Sequence, residues 1–257
     1  MSSLDCTLLI PLRAAEPIIA SGALDWLEGC PEAAVFVLPA ADDGSRGALE
    51  GWIERHPLPG GVELIVQTRP RLYGALNDGL QSVRTRYVQQ CGIDDQAYWW
   101  RHPDVAVAIG SASPLWIVGR CDTRNSGGRR TGAGIYRDAL HRWSAGLLPF
   151  TNVVGTPAVI FEAERARQAG GWDERMPAAA DYDLWVRLRR LEPPVVLPFA
   201  TGAFLVKPET SLTRAHRAES LDDCYRSRRG YYRGRAMPAL AQGLQAIQFR
   251  LQDLLGE

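Results

Sequence analysis

Two pairs of adjacent aspartates follow predicted strands, at places where they could hold a metal ion. Asp42 and Asp43 form one pair, and Asp94 and Asp95 form the other. Carboxylates a few ångströms apart raise each other's pKa, and a divalent cation with a diphosphate would remove that repulsion. Mg²⁺ and Mn²⁺ prefer oxygen ligands and often bind through one or two carboxylates plus substrate phosphates. Asp94 and Asp95 are therefore the predicted metal ligands, with an ordinary solvated turn as the alternative.

The elements that would position these acids alternate between strands and helices. Strands are predicted at residues 8–11, 35–38, 62–67 and 87–91, and helices at 18–27 and 73–86. This alternation predicts an α/β fold with a mostly parallel sheet and helices on both faces. In such sheets ligands bind at the carboxyl ends of the strands, which is where the acidic loops stand.

The second half of the chain carries shorter signals. Residues 105–109 and 115–118 have the composition of strands, and the glycine-rich segment 126–134 predicts a flexible loop. Residues 159–168 indicate a strand that passes into a helix, and residues 181–191 a further helix. We expect one domain over residues 1–215 and a C-terminal basic segment with an amphipathic helix over 216–257.

The C-terminal segment contains apolar residues at heptad spacing. They are Met237, Leu240, Leu244, Ile247, Leu251 and Leu254. Three interpretations stay open: a helix packed on its own domain, a homodimer contact through this helix, or a helix on a membrane surface.

Composition excludes several classes of protein. The chain has 257 residues, and its 29 Lys and Arg balance its 29 Asp and Glu, so no overall charge favours binding to nucleic acid. No apolar run reaches the roughly 18–20 residues of a membrane-spanning helix, and the N-terminus lacks a basic segment before its apolar residues. The five cysteines are odd in number and far apart, which indicates reduced thiols. These features predict a soluble, cytoplasmic protein without a transmembrane segment.

Common nucleotide-binding and hydrolase motifs are missing from the sequence. There is no Gly-x-x-x-x-Gly-Lys loop, and Pro11 stands where a dinucleotide-binding glycine motif would begin. No Gly-x-Ser-x-Gly turn surrounds Ser111 or Ser113. A P-loop nucleotidase, a dinucleotide oxidoreductase and a serine hydrolase are therefore not supported.

Five short motifs, in order, resemble those of family 2 glycosyltransferases, which have the GT-A fold. They are Ile10-Pro11, Asp42-Asp43-Gly44-Ser45, the helix segment 75–80 with Asn77, Gly92-Ile93-Asp94-Asp95, and Gly170-Gly171-Trp172-Asp173-Glu174 followed by 180–188. The resemblance covers residues 6–214. It implies a Rossmann-like, mostly parallel sheet, with a C-terminal helical extension beyond it.

The resemblance implies an inverting enzyme that moves one sugar from a nucleotide diphosphate sugar to an acceptor hydroxyl. A Mn²⁺ or Mg²⁺ ion on Asp94 and Asp95 would assist the leaving diphosphate. Asp181, at the start of a helix, would be the general base, and the helix dipole favours its charged form. The acceptor itself, whether a glycan, a lipid-linked molecule or a small molecule, does not follow from these residues.

The resemblance also assigns binding residues. The nucleotide sugar would contact Pro11, Arg13, Asp42 or Asp43, Asn77, Asp94 and Lys207. For Asn77 two alternatives stay open: that it fixes the start of its helix, or that it is an ordinary residue of that helix. The acceptor would lie against Gly171, Trp172 and Asp173.

Three residues depart from the family pattern. Gly92 replaces the first aspartate of the Asp-x-Asp motif, Ala180 replaces a glutamate before the expected base, and Lys207 stands near the position of a histidine. These departures motivate an alternative function: a catalytically weakened homologue that binds nucleotide sugars or acts as a scaffold for a partner.

Overall fold

The computed structural model describes residues 5–125, 129, 131, 138–206, 215–232 and 236–254. Lys207 and most of the predicted loop at 126–134 lie outside these ranges.

Eight strands form one sheet within the described ranges, in the order β3-β2-β1-β4-β7-β6-β8-β5. They are β1 (Cys6–Pro11), β2 (Ala33–Leu38), β3 (Val62–Val66), β4 (Tyr87–Gln90), β5 (Gln96–Ala97), β6 (Trp116–Asn125), β7 (Val159–Glu162) and β8 (Val195–Val206). The four predicted N-terminal strands are confirmed and pair in parallel. The rest of the sheet is mixed, because β7 runs antiparallel to both β4 and β6, and β5 runs antiparallel to β8.

Nine helices that lie wholly within the described residues accompany the sheet. They are α1 (Glu16–Ala20), α2 (Ser45–Arg55), α3 (Arg71–Ser82), α4 (Pro103–Ala112), α5 (Ser144–Leu147), α6 (Ala163–Gln168), α7 (Ala180–Leu191), α8 (Arg217–Tyr231) and α9 (Ala236–Leu254). Short 3₁₀ turns occur at Asp25–Leu27, Trp99–Arg101, His141–Trp143 and Thr156–Ala158.

Two predicted elements differ from the structure. The strand predicted at 105–109 is wrong, because these residues belong to α4. Val105 and Ile109 are four residues apart and both buried, which is the spacing of one helix face, and Pro103 begins the helix. The single helix predicted at 18–27 is interrupted by Gly22, whose φ of 79° a helix does not tolerate.

Helices cover both faces of the sheet, as predicted. Leu9 and Val37 point into a core with α3 and α7, whereas Leu8, Ile10 and Phe36 point into a second core with α1, α2 and α4. Adjacent residues of β1 thus enter different cores, because side chains alternate across a strand. This is why the run at 8–10 is apolar without interruption.

Helix α8 packs against α7, and α9 packs against α8, through buried polar groups. Arg228 on α8 donates from Nε to the Tyr182 hydroxyl at 3.0 Å and from Nη2 to Gln245 Oε1 on α9 at 2.5 Å. Ser227 donates its hydroxyl proton to Asp183 at 2.7 Å. The division at residue 215 stays a prediction, and α9 packs through a face other than its heptad positions.

Asp78 fixes the turn between β3 and α3. Its carboxylate accepts hydrogen bonds from the backbone amides of Thr68 and Arg69, at 2.5 and 2.9 Å. Partial burial raises the pKa of Asp78, but these hydrogen bonds outweigh it and hold the pKa below its usual value. The ionised form therefore stabilises the fold above the unfolded-state pKa of about 4, and this contribution is lost as the pH falls through the lower folded-state pKa.

We expect Asp78→Asn to cost about 1–2 kcal/mol of unfolding free energy at neutral pH, because the two amide hydrogen bonds lose their ionised acceptor and Arg69 loses its ion pair with Asp78. Urea unfolding at pH 7 and at about pH 3 measures this, and the difference between the wild type and the variant should shrink in acid. Asp222→Asn, at an exposed site on α8, is the control and should change neither value. A constant difference at both pH values would contradict the role of the charge.

Candidate functional site

The carboxyl ends of β1 and β2 meet through the first acidic loop. Asp43 accepts hydrogen bonds from the amide of Ala14 at 2.5 Å and from the amide of Ser45 at 3.1 Å. The Ser45 hydroxyl oxygen in turn accepts from the amide of Ala15 at 2.9 Å. Desolvation raises the pKa of Asp43, but the hydrogen bonds from Ser45 and Ala14 outweigh it and lower the pKa overall. Asp43 therefore holds the β1–α1 loop.

The other residues predicted to bind the nucleotide sugar here lie at or just beyond the carboxyl ends of β1 and β2. Asp42 is exposed and accepts a hydrogen bond from the amide of Gly44 at 3.0 Å. Pro11 ends β1 in register with Val37 of β2, and Arg13 is exposed just beyond it. The β1 and β2 ends thus form an open edge, at which both Asp42 and Asp43 are exposed.

The carboxylates of Asp94 and Asp95 converge over Gly92, in the loop between β4 and β5. A β-carbon at Gly92 would lie 2.8 Å from Asp95 Oδ2 and 3.3 Å from Asp94 Oδ1. Asp95 is buried, and its Oδ1 accepts a hydrogen bond from the amide of Leu205 on β8 at 3.0 Å. Glycine at position 92 leaves room for the two carboxylates.

This donor set fits a divalent cation that keeps waters and binds substrate phosphates, since two carboxylates supply the oxygens such an ion takes from protein. No group of three or more His, Cys, Asp or Glu side chains with metal-binding geometry occurs in the described residues. An ion held here would therefore depend on further oxygens from its substrate.

Asp181 is half-buried in the first turn of α7, and two donors orient its carboxylate. Oδ2 accepts from the Thr156 hydroxyl and Oδ1 from the backbone amide of Tyr182, both at 2.7 Å. Tyr73 of α3 lies nearby: burial, followed by the charge of Asp181, raises the pKa of its hydroxyl. The predicted base is thus an oriented carboxylate at a helix N-terminus.

Thr156 connects Asp181 with the strands on either side of the loop that carries Asp94 and Asp95. It begins the 3₁₀ turn Thr156–Ala158, which contacts β4, β5, β6 and β8. Pro157 in this turn accepts a hydrogen bond from Gln89 of β4 at 2.6 Å, and Gly202 of β8 packs against its carbonyl. Since Asp94 and Asp95 lie between β4 and β5, the structure brings these acids and Asp181 to one edge of the sheet.

Asn77 contacts the Gly171–Trp172 turn. Its amide donates to the carbonyl of Trp172 at 2.8 Å and accepts from the amide of Trp172 at 2.9 Å, and it also donates to Glu174 at 2.8 Å. The side chain of Asn77 is buried among these partners, so its observed contacts are those of a positioning residue. A β-carbon at Gly171 would lie 2.3 Å from Asn77 Oδ1, which explains the glycine there.

Trp172 is a core residue. Only 1% of it is exposed, and its ring packs edge-on against Phe161 at 5.9 Å between centroids. Of the three residues assigned to the acceptor, Asp173 alone has a partly exposed side chain. Arg175 binds Asp173 through two hydrogen bonds, at 2.7 and 2.9 Å, and these lower the Asp173 pKa.

A cavity of about 620 Å³ opens beside Asp94. Its walls include Ile18, Trp26, Arg101 and Leu205, so it extends from the second acidic loop along the C-terminal side of α1. The cavity and the predicted acids coincide only at Asp94; Asp43 and Asp181 are not among its described lining residues. The cavity therefore does not mark the whole predicted site, which is spread along an open sheet edge.

The sheet order and the helices on both of its faces are those of the GT-A fold, the fold of nucleotide-sugar glycosyltransferases. Solved structures support this. Mannosyltransferase PcManGT from Pyrobaculum calidifontis, in complex with GDP-Man and Mn²⁺, matches with a TM-score of 0.69 at 17% identity, covering 98% of this chain and 76% of that chain. S. aureus TarS 1–349 in complex with UDP-GlcNAc matches with a TM-score of 0.67 at 12% identity, covering 93% and 70%.

No protein-family model and no curated protein matched the sequence. The solved structures confirm the predicted resemblance at the level of the fold. No helix in the described part of the chain is long and apolar enough to cross a membrane.

Sequence reasoning missed Thr156. Thr156 stands in an ordinary Thr-Pro pair, 25 residues before the aspartate that it orients. No local sequence pattern marks it as a functional residue. The sequence indicates Glu174 only as a member of the motif at 170–174. In the structure Glu174 accepts a hydrogen bond from the Asn77 amide.

Proposed function

We propose that this protein is an inverting, metal-assisted family 2 glycosyltransferase that moves one sugar from a nucleotide diphosphate sugar to an acceptor hydroxyl. The proposal rests on Asp181: an oriented carboxylate at a helix N-terminus, on the same sheet edge as Asp94 and Asp95. Similarity in fold to PcManGT, crystallised with GDP-Man and Mn²⁺, supports a nucleotide sugar as donor.

In the proposed reaction Asp181 removes the proton from the acceptor hydroxyl while the hydroxyl oxygen attacks the anomeric carbon. The bond from that carbon to the diphosphate breaks on the opposite face, and the nucleoside diphosphate leaves with the bonding electrons. The configuration at the anomeric carbon inverts. The Thr156 hydroxyl and the Tyr182 amide fix the orientation of this carboxylate.

Asp94 and Asp95 would hold a Mn²⁺ or Mg²⁺ ion, because their oxygens converge over Gly92. When bound, such an ion stabilises the negative charge that develops on the leaving diphosphate. Asp42, exposed beside the β1 end, is the residue we assign to the nucleotide base, since the Asp43 carboxylate holds the neighbouring loop.

A thermal-shift panel tests the proposal. The probes are UDP, TDP and GDP and their sugars, each with and without Mn²⁺ or Mg²⁺. A ligand at 100 times its dissociation constant adds about 2.7 kcal/mol, or roughly 5–10 °C for a chain of this size. We expect one nucleotide to raise the melting temperature in a metal-dependent way. No response to any nucleotide would overturn the proposal in favour of a scaffold protein.

Gly92→Ala is expected to reduce the Mn²⁺-dependent part of that response. The new β-carbon would lie 2.8 Å from Asp95 Oδ2 and push the carboxylates apart. Changes next to metal ligands typically weaken metal affinity about 10–100-fold. Titration of Mn²⁺ at a fixed nucleotide concentration measures the loss. Gly47→Ala on α2, where a β-carbon meets nothing within 4 Å, is the matched control. Equal Mn²⁺ affinity in both variants would argue against a site over Gly92.

A further inference from the structure

Helix α9 exposes a stripe of aliphatic side chains that nothing in the described structure covers. Met237, Leu240, Leu244 and Ile247 are 39%, 56%, 57% and 56% exposed and follow the heptad spacing of the sequence. We call these four residues the α9 stripe. They are four of the nine large hydrophobic side chains exposed in the described residues.

The fold itself does not cover the α9 stripe, because α9 packs through a different face. Ala241 and Gln245 are buried, and Gln245 accepts the hydrogen bond from Arg228 of α8. The intramolecular contact is thus already made on the other side of the helix. Whatever covers the α9 stripe therefore lies outside the described residues.

A second copy of the chain is a poor occupant on grounds of area. Taking about 120–150 Å² for a whole aliphatic side chain, the α9 stripe exposes roughly 300 Å². A stable protein interface buries about 800 Å² on each partner. Helix pairing also commonly uses charged residues beside the apolar seam, whereas Ala236 to Phe249 contains no charged residue.

The charges next to α9 favour an anionic surface. Residues 226–235, which end α8 and lead into α9, contain five arginines and no acidic residue. Arg228 is buried and Arg226 pairs with Asp223, so Arg229 is the exposed cation of this end of α8, where Tyr231 and Tyr232 are half-buried. An uncharged apolar helix face beside arginines and tyrosines is typical of segments that lie in the headgroup region of a bilayer.

We propose that α9 is a membrane-docking helix, with the α9 stripe inserted among the headgroups of an anionic bilayer and Arg229 on a lipid phosphate. The proposal does not depend on glycosyl transfer, since it concerns a surface and not the acidic edge of the sheet. It places the protein against a lipid surface without a helix that crosses it.

Vesicle flotation with the full chain tests this proposal. The vesicles are phosphatidylcholine alone, or phosphatidylcholine with about one third phosphatidylglycerol. We expect the wild type to float with the anionic vesicles and to bind them more weakly as salt increases, because screening weakens the attraction to lipid charge. The triple variant Leu240→Gln, Leu244→Gln, Ile247→Gln should bind at least about tenfold more weakly, and Arg229→Gln about fivefold more weakly.

The matched control is Val107→Gln with Leu191→Gln, because these side chains are exposed by 66% and 58% but lie on α4 and α7. The control should float like the wild type, and both multiple variants should keep the wild-type melting temperature. Absence of flotation, or equal flotation of the triple variant and the wild type, would overturn the proposal. So would sedimentation velocity showing a dimeric wild type and a monomeric triple variant, since the α9 stripe would then join two copies.

Discussion

Asp181→Asn is expected to abolish glycosyl transfer while nucleotide binding persists. The asparagine amide keeps the shape of the side chain and its contact with Thr156, which lies 2.7 Å from Asp181 Oδ2. It cannot accept a proton, and a general base contributes about 10²–10⁴-fold to the rate of such reactions. We expect turnover to fall by that factor and the thermal shift with nucleotide and Mn²⁺ to stay at the wild-type value.

Asp104→Asn is the matched control for this variant. Asp104 is also an aspartate in the first turn of a helix, but it is exposed on α4 and lies outside the acidic edge. It should retain full turnover. Full turnover in Asp181→Asn would remove Asp181 as the base and leave the nucleotide response to be explained separately. Thr156→Val should give a smaller loss, because it removes only the orienting hydrogen bond.

Asn77→Ala is expected to destabilise the protein by about 2–4 kcal/mol. The variant leaves the amide and the carbonyl of Trp172 without their partner in a buried setting, and each such loss costs about 1–3 kcal/mol. For a chain of this size the melting temperature should fall by roughly 5–15 °C. Differential scanning calorimetry measures the loss directly.

Two further variants make the assignment of Asn77 specific. Gly171→Ala should destabilise in the same direction, because its β-carbon would meet Asn77 Oδ1 at a position with a φ of +63°. Asn152→Ala, which loses a single hydrogen bond to the amide of Val154, should cost less than about 1.5 kcal/mol. An Asn77→Ala protein with unchanged stability but weaker nucleotide binding would instead support the donor contact that the family resemblance implies.

For the C-terminal helix α9, the heptad spacing predicts an apolar face, and the packing of the folded chain decides which face is buried. The heptad residues predict a helix with one apolar face, and α9 has that face. Spacing alone left open whether the face packs on its own domain. In the structure Gln245 and Ala241 make the intramolecular contact, because Arg228 on α8 needs a buried hydrogen-bond acceptor.

The prediction of a strand at residues 105–109 is wrong because a short apolar pattern fits two kinds of element. Val105, Val107 and Ile109 alternate with alanines, and in five residues this pattern fits a strand as well as a buried helix. Pro103 and the extent of the surrounding α4 resolve the ambiguity.

The sequence by itself determined the alternation of strands and helices, the acids at strand ends and the order of motifs from which the GT-A fold was predicted. These are local properties, because periodicity and turn residues act within about one element. Only the tertiary structure decided that Thr156 orients Asp181, that Asn77 binds Trp172, and that Gly92 makes room for two carboxylates. Asn77 and Trp172 are 95 residues apart, and their contact depends on how α3 and the Gly171 turn meet on one face of the sheet. No local pattern encodes such a meeting, since it arises from the packing of the whole chain.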